Sequence, residues 1–347
     1  MKMSLSVYTP PFTITNQMID RIASISELVG TLSAAGAVNK NPHLRRNNRI
    51  KTIHSSLAIE NNTLTLAQVT AVIDGKSVLG PPKEIREVTN AYEAYDLLLK
   101  LNPYQVEDLL KAHKIMMKDL VHESGMFRTT GVGVFAGTRL VHMAPPAELV
   151  PEQVTNLLAW CKSSDVHPLI KSCVFHAEIE FIHPFVDGNG RMGRMWQTLI
   201  LSKWKPLFAW IPVESLIEKH QERYYAALGD AEKTGNNTQF VEFMLEVLER
   251  SLKEIRKMQR YDTVNDIVFD TVNEPAFDTV YETVNLSEKE RLVLKYLKNN
   301  ESITIQELTK KTGFSRPTIT RCLASLKEKN LVTRSGSDKT GKWVVLF

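Results

Sequence analysis

The densest chemistry in the chain lies in twelve residues, His183-Pro-Phe-Val-Asp-Gly-Asn-Gly-Arg-Met-Gly-Arg194. His183 supplies the one type of side chain that accepts a proton near neutral pH. Asp187 is a hard oxygen ligand of the kind Mg2+ needs when it bridges phosphates. Gly188 and Gly190 flank Asn189, so the backbone can turn with positive φ and bring its amides close to an anion. Arg191 and Arg194 stand three apart on one helical face, two forked donors suited to phosphate. A base, a metal ligand, an anion cradle and two clamps are the parts of phosphoryl-type transfer. Such catalysis is mostly positioning and charge stabilisation.

Two helices must hold this segment. Val174, Ala177 and Phe181 mark the first, predicted to stop at His183-Pro184 because proline disfavours helix at the residue before it. Met192, Met195, Trp196, Leu199 and Ile200 follow the spacing of a core-facing helix, and its N-terminus would direct a dipole at the anion site. Upstream, Ile53, Leu57 and Asn61 share a predicted helical face, punctuated by Pro42 and Gly75. Between these regions, Thr129 to Met143 has two β-prone runs around Ala136-Gly137-Thr138, which predicts a hairpin.

His183, Phe185, Asp187, Gly188, Asn189, Gly190, Arg191 and Arg194 fill every fixed position of the pattern H-x-F-x-[DE]-G-N-G-R-x-x-R, so the chain resembles the Fic family. The resemblance covers roughly residues 30 to 260. It implies a protein adenylyltransferase that moves AMP from ATP onto a Tyr, Thr or Ser hydroxyl of a target protein, with His183 as base and Asp187 holding Mg2+. Asn189 and the neighbouring amides of Gly188 and Gly190 would bind anionic oxygens, Arg191 and Arg194 would grip the β- and γ-phosphates, and Phe185 would anchor the loop. The hairpin would be the flap that aligns the target backbone, with Val132, Val134, Leu140 and Val141 along it and Pro145-Pro146 behind it. Tyr224 and Tyr225 resemble tyrosines that lie near the adenine, Tyr225 being the ATP-binding candidate, although aromatics at this spacing also serve as core.

A second signature, Ser56-Leu-Ala-Ile-Glu60-Asn61, is similar to the family's inhibitory motif. Ser56 and Glu60 are four apart, so both can meet one guanidinium. The family pairs this glutamate with the second motif arginine, here Arg194, which takes it away from the γ-phosphate. The chain is therefore expected to restrain itself. The same glutamate serves removal of AMP in some relatives, so a de-AMPylase or bifunctional enzyme is the alternative. A DNA-binding regulator whose Fic site only senses nucleotide is a second. The remaining histidines (His43, His54, His113, His122, His142, His167, His176 and His220) lack such company and read as structural or surface residues, with a supporting place near the site open to His176.

The expected architecture is mainly α: an N-terminal helical region over 1–80, a helical core over 81–260 with the small hairpin, an acidic linker over 261–285 and a winged helix-turn-helix over 286–347. The linker holds three octads beginning Tyr261-Asp-Thr-Val, Phe269-Asp-Thr-Val and Phe277-Asp-Thr-Val, too few to stack a solenoid core. The C-terminal region has helical stretches at 287–298, 304–312 and 315–329, then β runs at 331–335 and 342–347. It carries 13 basic against 6 acidic residues, while the rest of the chain is slightly acidic. That asymmetry points to DNA as a partner through residues 286–347, with Arg316, Thr318 and Arg321 facing a groove, Lys339 and Lys342 reaching backbone phosphate, and Ser315 as helix cap. Winged helices also mediate dimers, so a homodimer is compatible. Cys161, Cys173 and Cys322 lie far apart in apolar stretches and read as buried thiols. No apolar run is long enough for a membrane span, and residues 1–12 lack the apolar stretch of a secretory signal, so the expected location is cytoplasmic.

Overall fold

A computed structural model describes residues 8–35, 42–136, 139–265, 286–301, 303–329, 331–335 and 342–345. The chain divides into two compact units, 1–268 and 269–347.

The first unit is helical. Its elements are α1 (Asn16–Ala35), α2 (Pro42–Ile59), α3 (Leu66–Ile73), α4 (Pro82–Leu97), α5 (Val106–Met116), the hairpin β1 (Gly133–Ala136) and β2 (Arg139–Met143), α6 (Val150–Ser163), α7 (Pro168–Ile182), α8 (Asn189–Trp204), α9 (Glu214–Lys219), α10 (Gln221–Thr234) and α11 (Thr238–Asn265). Local chemistry sets many of the starts. Thr65 and Gln68 form a reciprocal capping box at α3, and prolines occupy the first turns of α4, α6 and α7.

The helices α7 and α8 pack against each other at the centre, and both are buried nearly all round. A helix apolar on every side belongs inside a core. Gly193 permits their close approach: a Cβ there would lie 2.9 Å from the His176 ring and 3.2 Å from Ile179. One core runs from Met18 to Ile255, with α1 packed on α11, so the N-terminal helices are a layer of this unit. The three cysteines are free and buried, as expected.

Two local details differ from the sequence reading. Helix α2 ends at Ile59, and Asn61 takes a left-handed turn at φ 66° instead of continuing the face of Ile53 and Leu57. Helix α11 runs on to Asn265, past the expected start of the linker, whose remaining residues lie outside the described ones.

The hairpin is antiparallel, pairing Gly133 with Met143 and Ala136 with Arg139, with an irregularity between Val134 and Phe135. Its turn residues Gly137 and Thr138, and the side chains of Val134, Leu140 and Val141, lie outside what is described.

The second unit has α12 (Glu288–Asn299), α13 (Ile305–Thr312), α14 (Arg316–Glu328) and an antiparallel ribbon of β3 (Val332–Ser335) and β4 (Lys342–Val345). Capping boxes at Ser287/Glu290 and Thr304/Glu307 start its first two helices, and Gly313 at φ 71° ends the second. Leu294, Leu308, Ile319, Leu326 and Trp343 fill its own core. This is the winged helix-turn-helix arrangement that the spacing predicts. No helix among the described residues is long and apolar enough to cross a membrane.

Candidate active site

The site begins where α7 ends. His183 is the C-cap of α7 at φ 48° and ψ 59°, a left-handed conformation that costs a non-glycine residue roughly 1–3 kcal/mol and turns the chain sharply off the helix. Its Nδ1 lies 3.2 Å from the Glu180 carbonyl. A proton on Nδ1 donated there puts the lone pair on Nε2, the nitrogen that can take a proton.

The loop from His183 to Gly188 is braced from beneath. Phe185 is fully buried and stacks on His113, ring centroids 3.7 Å apart. The Gly125 N–H donates to His113 Nδ1 at 2.9 Å, so His113 Nε2 donates to the Asp187 carbonyl at 3.0 Å. Burial lowers the His113 pKa to about 4, which keeps the ring neutral. His113, a structural histidine as its sequence context predicts, is the floor of this loop.

Asn189 is also part of the brace. Its side chain is buried, accepts from the Phe185 N–H and donates to the Phe185 carbonyl, both at 2.9 Å. The carboxamide thus clasps the Phe185 peptide groups while the residue still lines the cleft described below. The first intrahelical bond of α8 runs from Met192 N–H to the Gly188 carbonyl, which leaves the N–H groups of Asn189, Gly190 and Arg191 as a positively polarised end. Gly188 holds φ 89°, and a Cβ there would meet Met117 Sδ at 2.7 Å.

Asp187 Oδ1 accepts from Arg191 at 2.8 Å and from the Gly188 N–H at 2.5 Å. Arg191 is buried and also lies 3.6 Å from Glu87, so its guanidinium orients the carboxylate. Asp187 is 43 % exposed, with Oδ2 as an available ligand oxygen. No group of three or more His, Cys, Asp or Glu among the described residues could hold a metal ion. A single hard carboxylate oxygen fits a divalent ion that arrives with phosphates and keeps waters, the habit of Mg2+.

Arg194 is held by three hydrogen bonds. Nε donates to Ser56 Oγ at 3.1 Å, and Nη2 donates to the Ser56 carbonyl at 3.0 Å and to Glu60 Oε1 at 2.7 Å. Its side chain is 1 % exposed, while that of Glu60 is 31 % exposed. Burial works against the arginine's charge, but Glu60 outweighs it and the guanidinium is pinned in the charged form. Gln221 and Tyr225 donate to the Ile59 carbonyl at 3.0 and 3.4 Å and so fix the end of α2 that carries Glu60.

A cleft of about 870 Å³ collects these groups, with His183, Asp187, Asn189, Arg194, Glu60 and Tyr225 in its lining. Tyr224 is buried in the wall and bonded to His176 Nε2 at 3.0 Å, whereas Tyr225 is 48 % exposed. His176 also meets Gln197 at 2.6 Å, and burial lowers its pKa to about 3. Glu180 sits 3.8 Å from it with its own pKa raised by burial to about 7, so a neutral ring faces it and the two form no ion pair. Two wall residues carried no local signal. Tyr8 donates a short hydrogen bond to buried Glu178, and the Pro11 carbonyl accepts from Asn237 at 2.8 Å, which folds the N-terminal segment onto the cleft.

In the second unit, Arg316 and Arg321 are exposed and Thr318 is half-buried. Ser315 does not cap its helix by side chain. Its Oγ meets Thr318 Oγ1 at 2.9 Å instead. Lys339 and the side chain of Lys342 lie outside the described residues.

Residues 103–201 match the model of the Fic/DOC family, and 286–333 match that of winged helix-turn-helix DNA-binding domains. A solved Fic family protein from Desulfovibrio desulfuricans G20 is 42 % identical, with a TM-score of 0.70 and 98 % of each chain covered. The chain belongs to the Fic family. Among curated Fic proteins, the protein adenylyltransferase fic-1 of Caenorhabditis elegans is 31 % identical over 51 % of this chain and 36 % of its own length. The protein adenylyltransferase Fic of Nematostella vectensis is 29 % identical over 58 % and 47 %. The chain thus spans between a third and a half of the length of these curated relatives. The solved fragment of C. elegans Fic-1 shares the fold at 21 % identity and a TM-score of 0.59.

Proposed function

We propose that this Fic protein is a nucleotidyltransferase that moves AMP from Mg-ATP to a Ser, Thr or Tyr hydroxyl of a protein target, and that Glu60 restrains it at rest. The observation that carries this reading is the gathering of His183, Asp187 and Arg194 in one cleft. His183 Nε2 takes the hydroxyl proton as the oxygen attacks the α-phosphorus. A new P–O bond forms there, and the bond to the bridging oxygen breaks to release pyrophosphate. Asp187 would hold Mg2+, which when bound would neutralise charge on the phosphates. Arg191 orients that carboxylate, the first-turn amides of α8 hold anionic oxygens, and Tyr225 borders the base.

Arg194 is the natural γ-phosphate clamp, and its bonds to Ser56 and Glu60 occupy it. The test is incubation of wild type, Glu60→Gly and His183→Ala with Mg2+ and labelled ATP, followed by mass spectrometry of the modified side chain. Glu60→Gly should label more than wild type and His183→Ala not at all. No label in any variant overturns the proposal.

A second reading, removal of AMP from a modified protein, draws on the place of Glu60 in the cleft wall, where a partly exposed carboxylate can orient water. Glu60→Gly would then leave labelling unchanged and abolish release of AMP from a labelled protein. For the second unit we propose duplex DNA as ligand, supported by its family match and the exposed Arg316 and Arg321.

A further inference from the structure

Arg128 lies outside every motif above, yet it is 2 % exposed beside the catalytic loop. Nε donates to the His183 carbonyl at 2.7 Å and Nη2 to the Ile182 carbonyl at 3.3 Å. Nη1 donates to the Thr130 carbonyl at 3.0 Å and Nη2 also to the Pro145 carbonyl at 2.5 Å. Its own backbone N–H donates to the Pro184 carbonyl at 2.9 Å. Among the described residues no carboxylate is within ion-pair distance of it, and Glu148 supports its charge only from farther off.

These acceptors form two sets. Ile182 and His183 are the C-terminal end of α7, where carbonyls lack intrahelical partners and the helix carries partial negative charge. That end is what a buried guanidinium without a paired carboxylate can answer. Thr130 and Pro145 bracket the hairpin, just outside the point where the Ala144 N–H closes on the Val132 carbonyl. A single planar fork therefore joins both roots of the hairpin to the backbone of the left-handed histidine. Lysine, a point donor, cannot span four carbonyls in this way.

We propose that Arg128 is a positioning residue that sets the register of the β-hairpin against His183, so that a protein segment laid along the hairpin presents its hydroxyl to Nε2. The inference rests on the transfer reading above, but its geometry can be tested apart from it.

The experiment uses the full chain carrying Glu60→Gly, alone and with Arg128→Lys or Arg128→Ala. Calorimetric affinity for Mg-ATP, self-labelling from ATP, and hydrogen exchange are measured on each. Both arginine variants should keep nucleotide affinity within about twofold and lose self-labelling by about tenfold or more, with lysine giving no rescue. Exchange should rise together in residues 130–145 and 182–188 and stay unchanged in α8 and α11. Exchange that rises in only one of the two segments, or in neither, overturns the proposal. So does rescue by lysine, or a parallel fall in affinity and labelling. If Glu60→Gly alone gives no label, the transfer reading fails while exchange still decides the role of Arg128.

Discussion

Glu60 lies directly over the α-carbon of Gly190: a methyl group there would strike Oε1 and sit 3.0 Å from Arg194 Nη1. The Glu60–Arg194 pair and the loop proposed to bind phosphate therefore share one contact. Gly190→Ala should loosen the Glu60–Arg194 pair without removing either charge. The expected outcome is tighter Mg-ATP binding than wild type, by calorimetry, and a smaller gain than Glu60→Gly gives. Weaker binding than wild type would show that the loop, not the pair, absorbs the clash.

Ser56 holds Arg194 through both its hydroxyl and its carbonyl, and substitution removes only the first. A hydrogen bond to a charged group contributes roughly 1.5–3 kcal/mol, reduced here because Glu60 remains. Ser56→Ala should raise labelling by a few-fold at most, between wild type and Glu60→Gly. Quantitative mass spectrometry at fixed ATP checks the order of the three proteins.

Gly188 combines φ 89° with a Cβ position 2.7 Å from Met117 Sδ. Gly188→Ala should cost about 1–3 kcal/mol of stability and nearly all labelling, because the loop that carries Asp187 must shift. Thermal unfolding beside a labelling assay measures both, and a fully active, equally stable variant would contradict this account of the loop.

His176 is buried neutral, its pKa lowered by burial to about 3. The unfolded chain takes a proton near pH 6.5 and the folded chain does not, so this histidine's contribution to stability is complete above about pH 6.5 and falls as pH drops towards 3. The loss is about 1.4 kcal/mol per pH unit in that window. His176→Gln should flatten the decline between pH 6 and 4.5 by about one proton, measured by denaturant unfolding across pH. An unchanged slope would place the protonation elsewhere.

In the second unit, replacing both Arg316 and Arg321 by alanine in the full chain should weaken binding to duplex DNA and reduce its salt dependence by about two phosphate contacts. Labelling by the Glu60→Gly chain should not change.

The loop after α7 and the winged helix were legible because glycine, proline and apolar spacing act over a few residues. Gly188, Asn189 and Gly190 announce a tight turn, and Leu294, Leu308 and Ile319 fall on regular helical faces. Arg128, His113 and Tyr8 announce nothing, because their partners lie 55, 74 and 170 residues away. Asn61 was misplaced for a related reason: helical spacing continues through it, but Asn62 N–H turns back to the Leu57 carbonyl and ends the helix. The bracing contacts of Asn189 to Phe185 and of Arg191 to Asp187 were not legible, because residue types suited to phosphate are equally suited to holding a loop.

Glu60, in the turn just past α2, and Arg194, on α8, are 134 residues apart in sequence, yet both are carried by a single core. Their meeting is a first-order event with an effective concentration fixed by the fold, so dilution does not part them. A ligand that opens the pair must compete with a tethered neighbour rather than with a dissolved one, and only its preference for the opened arrangement, not its abundance alone, sets how far the balance moves.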